Sequence, residues 1–205
     1  MTGAMHDPGD TFGRLARVLS EPHAAVAVDA FGRVSSLSGI PGHPLLGAES
    51  PVVKLAVSQL VSDQPHTAFL WPWRSAPTHA GPVQDNYVRI TGLACDASPP
   101  TRPAGLILLQ PIRDTHGLTP RELQILGLLV DGGANQHIAS VLFITARTVA
   151  AHLEHIRSKI RAPTRTAAAL YAVRHGLYLP AQLVDRRGRT SRPWAGPPIE
   201  RAWSC

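Results

Sequence analysis

Thr145, Arg147 and Thr148 stand at the start of one amphipathic stretch, and Arg157 and Lys159 stand near its end. Hydroxyls and a guanidinium at a helix N-terminus suit an anion, because unpaired backbone N–H groups and the helix dipole both favour negative charge there. At roughly 100° per residue, Val149, Leu153, Ile156 and Ile160 fall on one narrow stripe that must face a core. Arg147, Ala151, Glu154 and Ser158 point the opposite way, with Ala150 and His155 on the flanks. A helix with one buried stripe, one exposed stripe and a basic, hydroxyl-bearing start is what the major groove of duplex DNA accepts. The candidates for contact with bases or phosphates are therefore Thr145, Arg147, Thr148, Ala150, Ala151, Glu154, His155, Arg157, Ser158 and Lys159.

Other chemistries find less support. The ten histidines are mostly scattered. His152 and His155 lie three apart on the amphipathic stretch, where a solvated or DNA-facing role is expected rather than a metal site. No metal and no cofactor are expected. A GxSxG nucleophile elbow and a GxxxxGK[ST] phosphate loop are both absent from the sequence, so no catalytic residue is assigned and an enzyme is not expected. Asp29 lacks the preceding acidic pair that a phosphoacceptor aspartate needs. Trp71 and Trp73 either line a ligand pocket or pack within a sheet, and Cys95 reads as a small apolar residue of a strand.

The elements that position the basic helix are legible from their ends. Thr119–Pro120–Arg121–Glu122 is a capping box with proline at the first helical position, and it starts a largely apolar helix that stops at Asp131–Gly132–Gly133. A second helix runs from about Asn135 to Leu142, Phe143–Ile144 form a tight turn, and Thr145 caps the third helix. Two helices so joined make a helix-turn-helix. A fourth helix follows Thr164 and ends at His175–Gly176. Its alanines suit close helix–helix approach, and Ala169, Leu170 and Val173 are the candidates for a dimer contact.

Upstream, residues 12–112 read as a small α+β domain. An apolar run, a turn at Asp29–Gly32 and a short second strand make a hairpin. Ser50 and Pro51 then open a helix, and HTAFLWPW, NYVRITGLACDA and AGLILLQPI supply three more strands. This order is similar to that of PAS/GAF-like sensor domains, which carry an antiparallel sheet. Residues 1–11 and the basic tail 181–205 are expected to be disordered, and residues 113–117 form a linker.

Charge follows the same division. Residues 1–116 hold 8 Lys/Arg against 9 Asp/Glu, whereas residues 117–180 hold 7 against 3. The basic excess therefore sits where a polyanion would bind. No apolar run approaches the roughly 20 residues of a membrane span. The polar, acidic N-terminus is unlike a secretion signal, and two cysteines make no disulfide framework, so a cytoplasmic location is expected.

LTPRE, then ASVLFITARTVAAHLEHIRSKI, then TR followed by an apolar helix and GL, together resemble the C-terminal DNA-binding domain of LuxR-type transcriptional regulators. The resemblance covers residues 118–180. It implies an all-α four-helix domain that dimerises through its fourth helix and places the third, residues 146–160, in the major groove. It also implies an N-terminal domain that receives a small-molecule or protein signal. The chain departs from the family's usual pattern at Ala150, Ala151 and Glu154 on the third helix and at Ala134, Gln136 and His137 on the second. Alanines can touch a thymine methyl but cannot make bidentate hydrogen bonds to a base. The expected function is a homodimeric DNA-binding regulator of transcription. The alternative is an adaptor whose degenerate helix-turn-helix binds a protein.

Overall fold

The computed structural model describes residues 23–29, 31–61, 65–73, 86–95, 105–112 and 114–183. Residues 1–11, and all of the tail 181–205 except its first three residues, lie outside them.

Five strands form one sheet: β1 (Ala24–Val28), β2 (Val34–Ser36), β3 (His66–Trp73), β4 (Asn86–Ala94) and β5 (Gly105–Pro111), in the order β2-β1-β5-β4-β3. The β1–β2, β1–β5 and β4–β5 pairs are antiparallel, with Val26 opposite both Ser36 and Ile107. The sheet is thus the antiparallel, PAS/GAF-like one that the strand pattern suggests. Asp29 builds the first hairpin by itself. Its carboxylate accepts the Phe31 and Arg33 N–H groups at 2.8 and 2.9 Å, while Gly32 takes the left-handed φ of 76° that the turn requires.

Helix α1 (Pro51–Val61) begins as its sequence indicates, because the Ser50 hydroxyl accepts the Val52 N–H at 3.2 Å. The same hydroxyl donates to the Leu45 carbonyl at 2.5 Å, anchoring the helix to the 3-10 turn before it. At Gly92 a Cβ would fall 2.9 Å from Thr67 and 3.2 Å from Leu60, so glycine lets α1 approach the sheet closely. Another cluster joins Ala25, Ala27, Leu37, Leu106 and Leu108, with Cys95 packed against it.

The helices of the C-terminal region are α2 (Pro120–Val130), α3 (Asn135–Leu142), α4 (Ala146–Ile160) and α5 (Arg165–His175). Helix α2 is the central one, packing on α3, α4 and α5. That is why Leu123, Ile125 and Leu126 are completely buried. After α5 the chain returns across α2 through buried residues Leu177–Leu179, and the Leu179 N–H donates to the Leu123 carbonyl at 3.2 Å. Gly127 makes this crossing possible, since a Cβ there would meet the Leu179 oxygen at 1.8 Å. No helix among the described residues is long and apolar enough to cross a membrane.

Candidate nucleic-acid interface

The turn between α3 and α4 is short and specific. Phe143 takes a left-handed φ of 55° and caps α3, and the Ile144 N–H donates to Ala139 at 3.0 Å. Thr145 then caps α4, its hydroxyl accepting the Thr148 N–H at 3.0 Å and lying 2.8 Å from the Thr148 hydroxyl. Both threonines of the anticipated anion-binding end are therefore partly occupied with holding that end in shape.

Val149, Leu153, Ile156 and Ile160 are buried along α4, and this fixes its rotation. With that stripe turned in, Arg147, Ala151, Glu154 and Ser158 are exposed in a line. Ala150 is half-buried beside them, and His155 is exposed on the flank.

Two basic residues of the set have partners within the helical region. The Arg157 guanidinium donates to the Ala162 carbonyl at 3.3 Å and to the Pro163 carbonyl, shaping the turn into α5. With Glu154, Ser158 and Arg161 they line an open groove at the end of α4. Lys159 reaches the other way. Its ammonium lies 3.0 and 2.7 Å from the two carboxylate oxygens of Glu122, which is 3 % exposed.

Glu122 closes the capping box as well, accepting the Thr119 N–H at 2.7 Å while the Thr119 hydroxyl accepts the Glu122 N–H at 3.3 Å. Burial pushes the Glu122 carboxyl up, but hydrogen bonds from Lys159 and Thr119 outweigh it and hold the group below the ordinary glutamate value. The capping role is readable from four consecutive residues. The ion pair is not, because no local pattern joins positions 37 apart.

Beside this pair stand His152 and His155, and one ligand atom from each of Glu122, His152 and His155 lies within 4.8 Å of the others. From the sequence the two histidines are expected to be solvated or DNA-facing, because no local pattern places a carboxylate from α2 beside them.

Helix α5 divides its small residues. Ala168 and Ala172 are fully buried against the domain, whereas Leu170 and Val173 are 49 % and 41 % exposed. Ala169 lies half-buried between the two faces. Arg165 donates to the Gly133 carbonyl at 2.9 Å, and Arg121 donates to the Leu142 carbonyl at 2.6 Å, so helix ends are tied by long side chains as well as by packing.

Residues 116–172 match the luxR family of bacterial regulatory proteins. Over 60 residues the chain is 47 % identical to the response regulator protein VraR of Staphylococcus aureus and, to the same degree, to that of Staphylococcus epidermidis. Each match covers 29 % of this chain and 29 % of the relative, so the chain spans less than a third of the curated relatives' length in these matches. Among solved structures, the VqmA dimer of Vibrio cholerae aligns with 19 % identity and a TM-score of 0.35, covering 82 % of this chain and 90 % of that one. VqmA bound to DPO aligns with 18 % identity and a TM-score of 0.37, covering 89 % and 94 %. Likenesses this loose add nothing to the functional argument. The family match and the capped helix-turn-helix agree on the same residues: 116–172 are a LuxR-family helix-turn-helix domain.

Proposed function

We propose that the chain is a DNA-binding transcriptional regulator that acts as a homodimer, with α4 in the major groove and the N-terminal sheet domain receiving a signal. The observation that carries this reading is the exposed face of α4. Arg147 and Thr148 stand at its capped N-terminus, and Ala151, Glu154 and Ser158 continue the line, while the opposite stripe is locked in the core. Arg147 supplies a charge for phosphate or guanine, and the alanines supply apolar contact for a thymine methyl. Glu154 tolerates the groove by accepting from a cytosine amino group. Homodimerisation rests on Leu170 and Val173, which form an apolar patch on α5 that a second copy would cover.

Reception of a small-molecule or protein signal is supported by the strand order of the sheet, β2-β1-β5-β4-β3, which is similar to that of PAS/GAF-like sensor domains.

The adaptor reading draws on Phe143, which is 68 % exposed in the turn before α4 and gives this surface an apolar knob. Selection of duplexes from a random library by the full chain separates the two. A dimeric regulator enriches two half-sites about one helical turn, or a multiple of it, apart. Recovery no better than that of a no-protein control overturns DNA recognition.

A further inference from the structure

Glu122, His152 and His155 bring three metal ligands of two types to one place, without any contribution from the line of Arg147, Ala151, Glu154 and Ser158 on α4. The carboxylate belongs to the first turn of α2, and the two imidazoles stand three residues apart on α4. One ligand atom from each lies within 4.8 Å of the other two. Their exposures differ: Glu122 is buried, His152 is half-buried and His155 is exposed.

Two imidazoles and a carboxylate are a ligand set for zinc and similar borderline divalent cations, with water in a fourth position. Hard cations such as calcium demand six to eight oxygens and find too few here. In a tetrahedral site with bonds of about 2.0 Å, ligand atoms stand about 3.3 Å apart, so separations within 4.8 Å need close by about 1.5 Å at most.

The Lys159 ammonium already occupies both Glu122 oxygens, at 2.7 and 3.0 Å. It acts as a resident counter-cation. Its side chain is 34 % exposed against 3 % for Glu122, so Lys159 can swing to water while the carboxylate cannot.

We propose that Glu122, His152 and His155 form a binding site for a zinc-class divalent cation, filled when the metal displaces the Lys159 ammonium from Glu122. The carboxylate stays neutralised throughout, exchanging an ammonium for a dication. The bound metal fastens α2 to α4 and frees Lys159.

The test uses the full chain, stripped with a chelator and titrated calorimetrically with Zn2+, and separately with Co2+ followed by visible absorption. The expected result is one tightest Zn2+ per chain and the intense absorption of four-coordinate Co2+. His155→Asn, at an exposed position, and His152→Asn each weaken Zn2+ binding about tenfold or more and abolish the Co2+ bands. Lys159→Met, checked for folding by circular dichroism, tightens Zn2+ binding severalfold because the competing ammonium is gone. Absence of Zn2+ binding, or affinity and Co2+ spectrum unchanged in His155→Asn, overturns the site. Should Lys159→Met be unfolded, the same displacement is read in Lys159→Gln. Unchanged or weaker binding in the folded variant overturns the displacement.

Discussion

Lys159 on α4 holds its ammonium 2.7 and 3.0 Å from the two carboxylate oxygens of Glu122 on α2, joining helices whose paired residues are 37 positions apart. The two members differ in what they can do alone. Lysine can turn to solvent, whereas the glutamate is buried within its own capping box. Removing the lysine should therefore cost more than neutralising the glutamate. Fully buried pairs broken at one end lose about 3–5 kcal/mol, and exposed pairs lose about 0–1. This one is intermediate, so in metal-free buffer Lys159→Met is expected to lower stability by about 2 kcal/mol and Glu122→Gln by about 1. Urea unfolding of the two variants checks the order as well as the size.

Acid should reveal the same pair. Because the folded carboxyl titrates below the ordinary glutamate value of 4.5, the unfolded chain binds the proton first. The contribution of Glu122 is fully present above that value and is lost as pH falls through the lower, folded one. Urea midpoints measured on acidification below 4.5 should fall more steeply in the wild type than in Glu122→Gln.

At Gly127 two effects of opposite sign compete. Alanine favours a helix interior over glycine by about 1 kcal/mol. Here its Cβ would lie 1.8 Å from the Leu179 carbonyl oxygen and 2.9 Å from the carbonyl carbon, both main-chain atoms that cannot rotate away. Displacing that backbone costs about 3 kcal/mol or more, so the collision wins. Gly127→Ala is expected to be destabilised by at least about 2 kcal/mol in chemical denaturation, despite its better helix propensity.

Much of this domain was legible because its signals are local. Thr119 with Glu122, Thr145 with Thr148, Thr164 with Ala167 and the left-handed Gly176 are all read within four residues, and each appears as a cap. The stripe of Val149, Leu153, Ile156 and Ile160 needs only the helical period. In the sheet, the hairpin at Asp29 is local too, but the pairing of Ala24 with Leu109 joins distant segments and no periodicity specifies it.

The candidate site was less legible for the same reason. Arg157 and Lys159 read as contacts to DNA, yet their partners in the structure, the Ala162 and Pro163 carbonyls and the Glu122 carboxylate, are fixed by tertiary packing. The metal-competent cluster was hidden because its carboxylate arrives from another helix. NYVRITGLACDA also read as strand beyond Ala94, where the strand stops.

Helix α5 offers a direct test of assembly. Leu170 and Val173 lie three residues apart on one exposed face, while Ala168 and Ala172 are turned fully inward. A charge at the centre of that face should prevent its burial without disturbing the core. The wild type is expected to sediment as a dimer and Leu170→Asp as a monomer, with an unchanged circular dichroism spectrum. A dimer of undiminished affinity would place the interface elsewhere.

Arg147 and Lys159 together test the DNA-binding reading most directly. Fluorescence anisotropy of the full chain on a mixed-sequence duplex, repeated at increasing salt, gives the number of phosphate contacts from the slope of log affinity against log salt. A steep slope is expected, falling by about one in Arg147→Ala. Lys159→Gln, which removes a cation already engaged by Glu122, should leave it nearly unchanged. A flat salt dependence, or an Arg147→Ala variant with the slope and affinity of the wild type, would contradict the placement of α4 in a DNA groove.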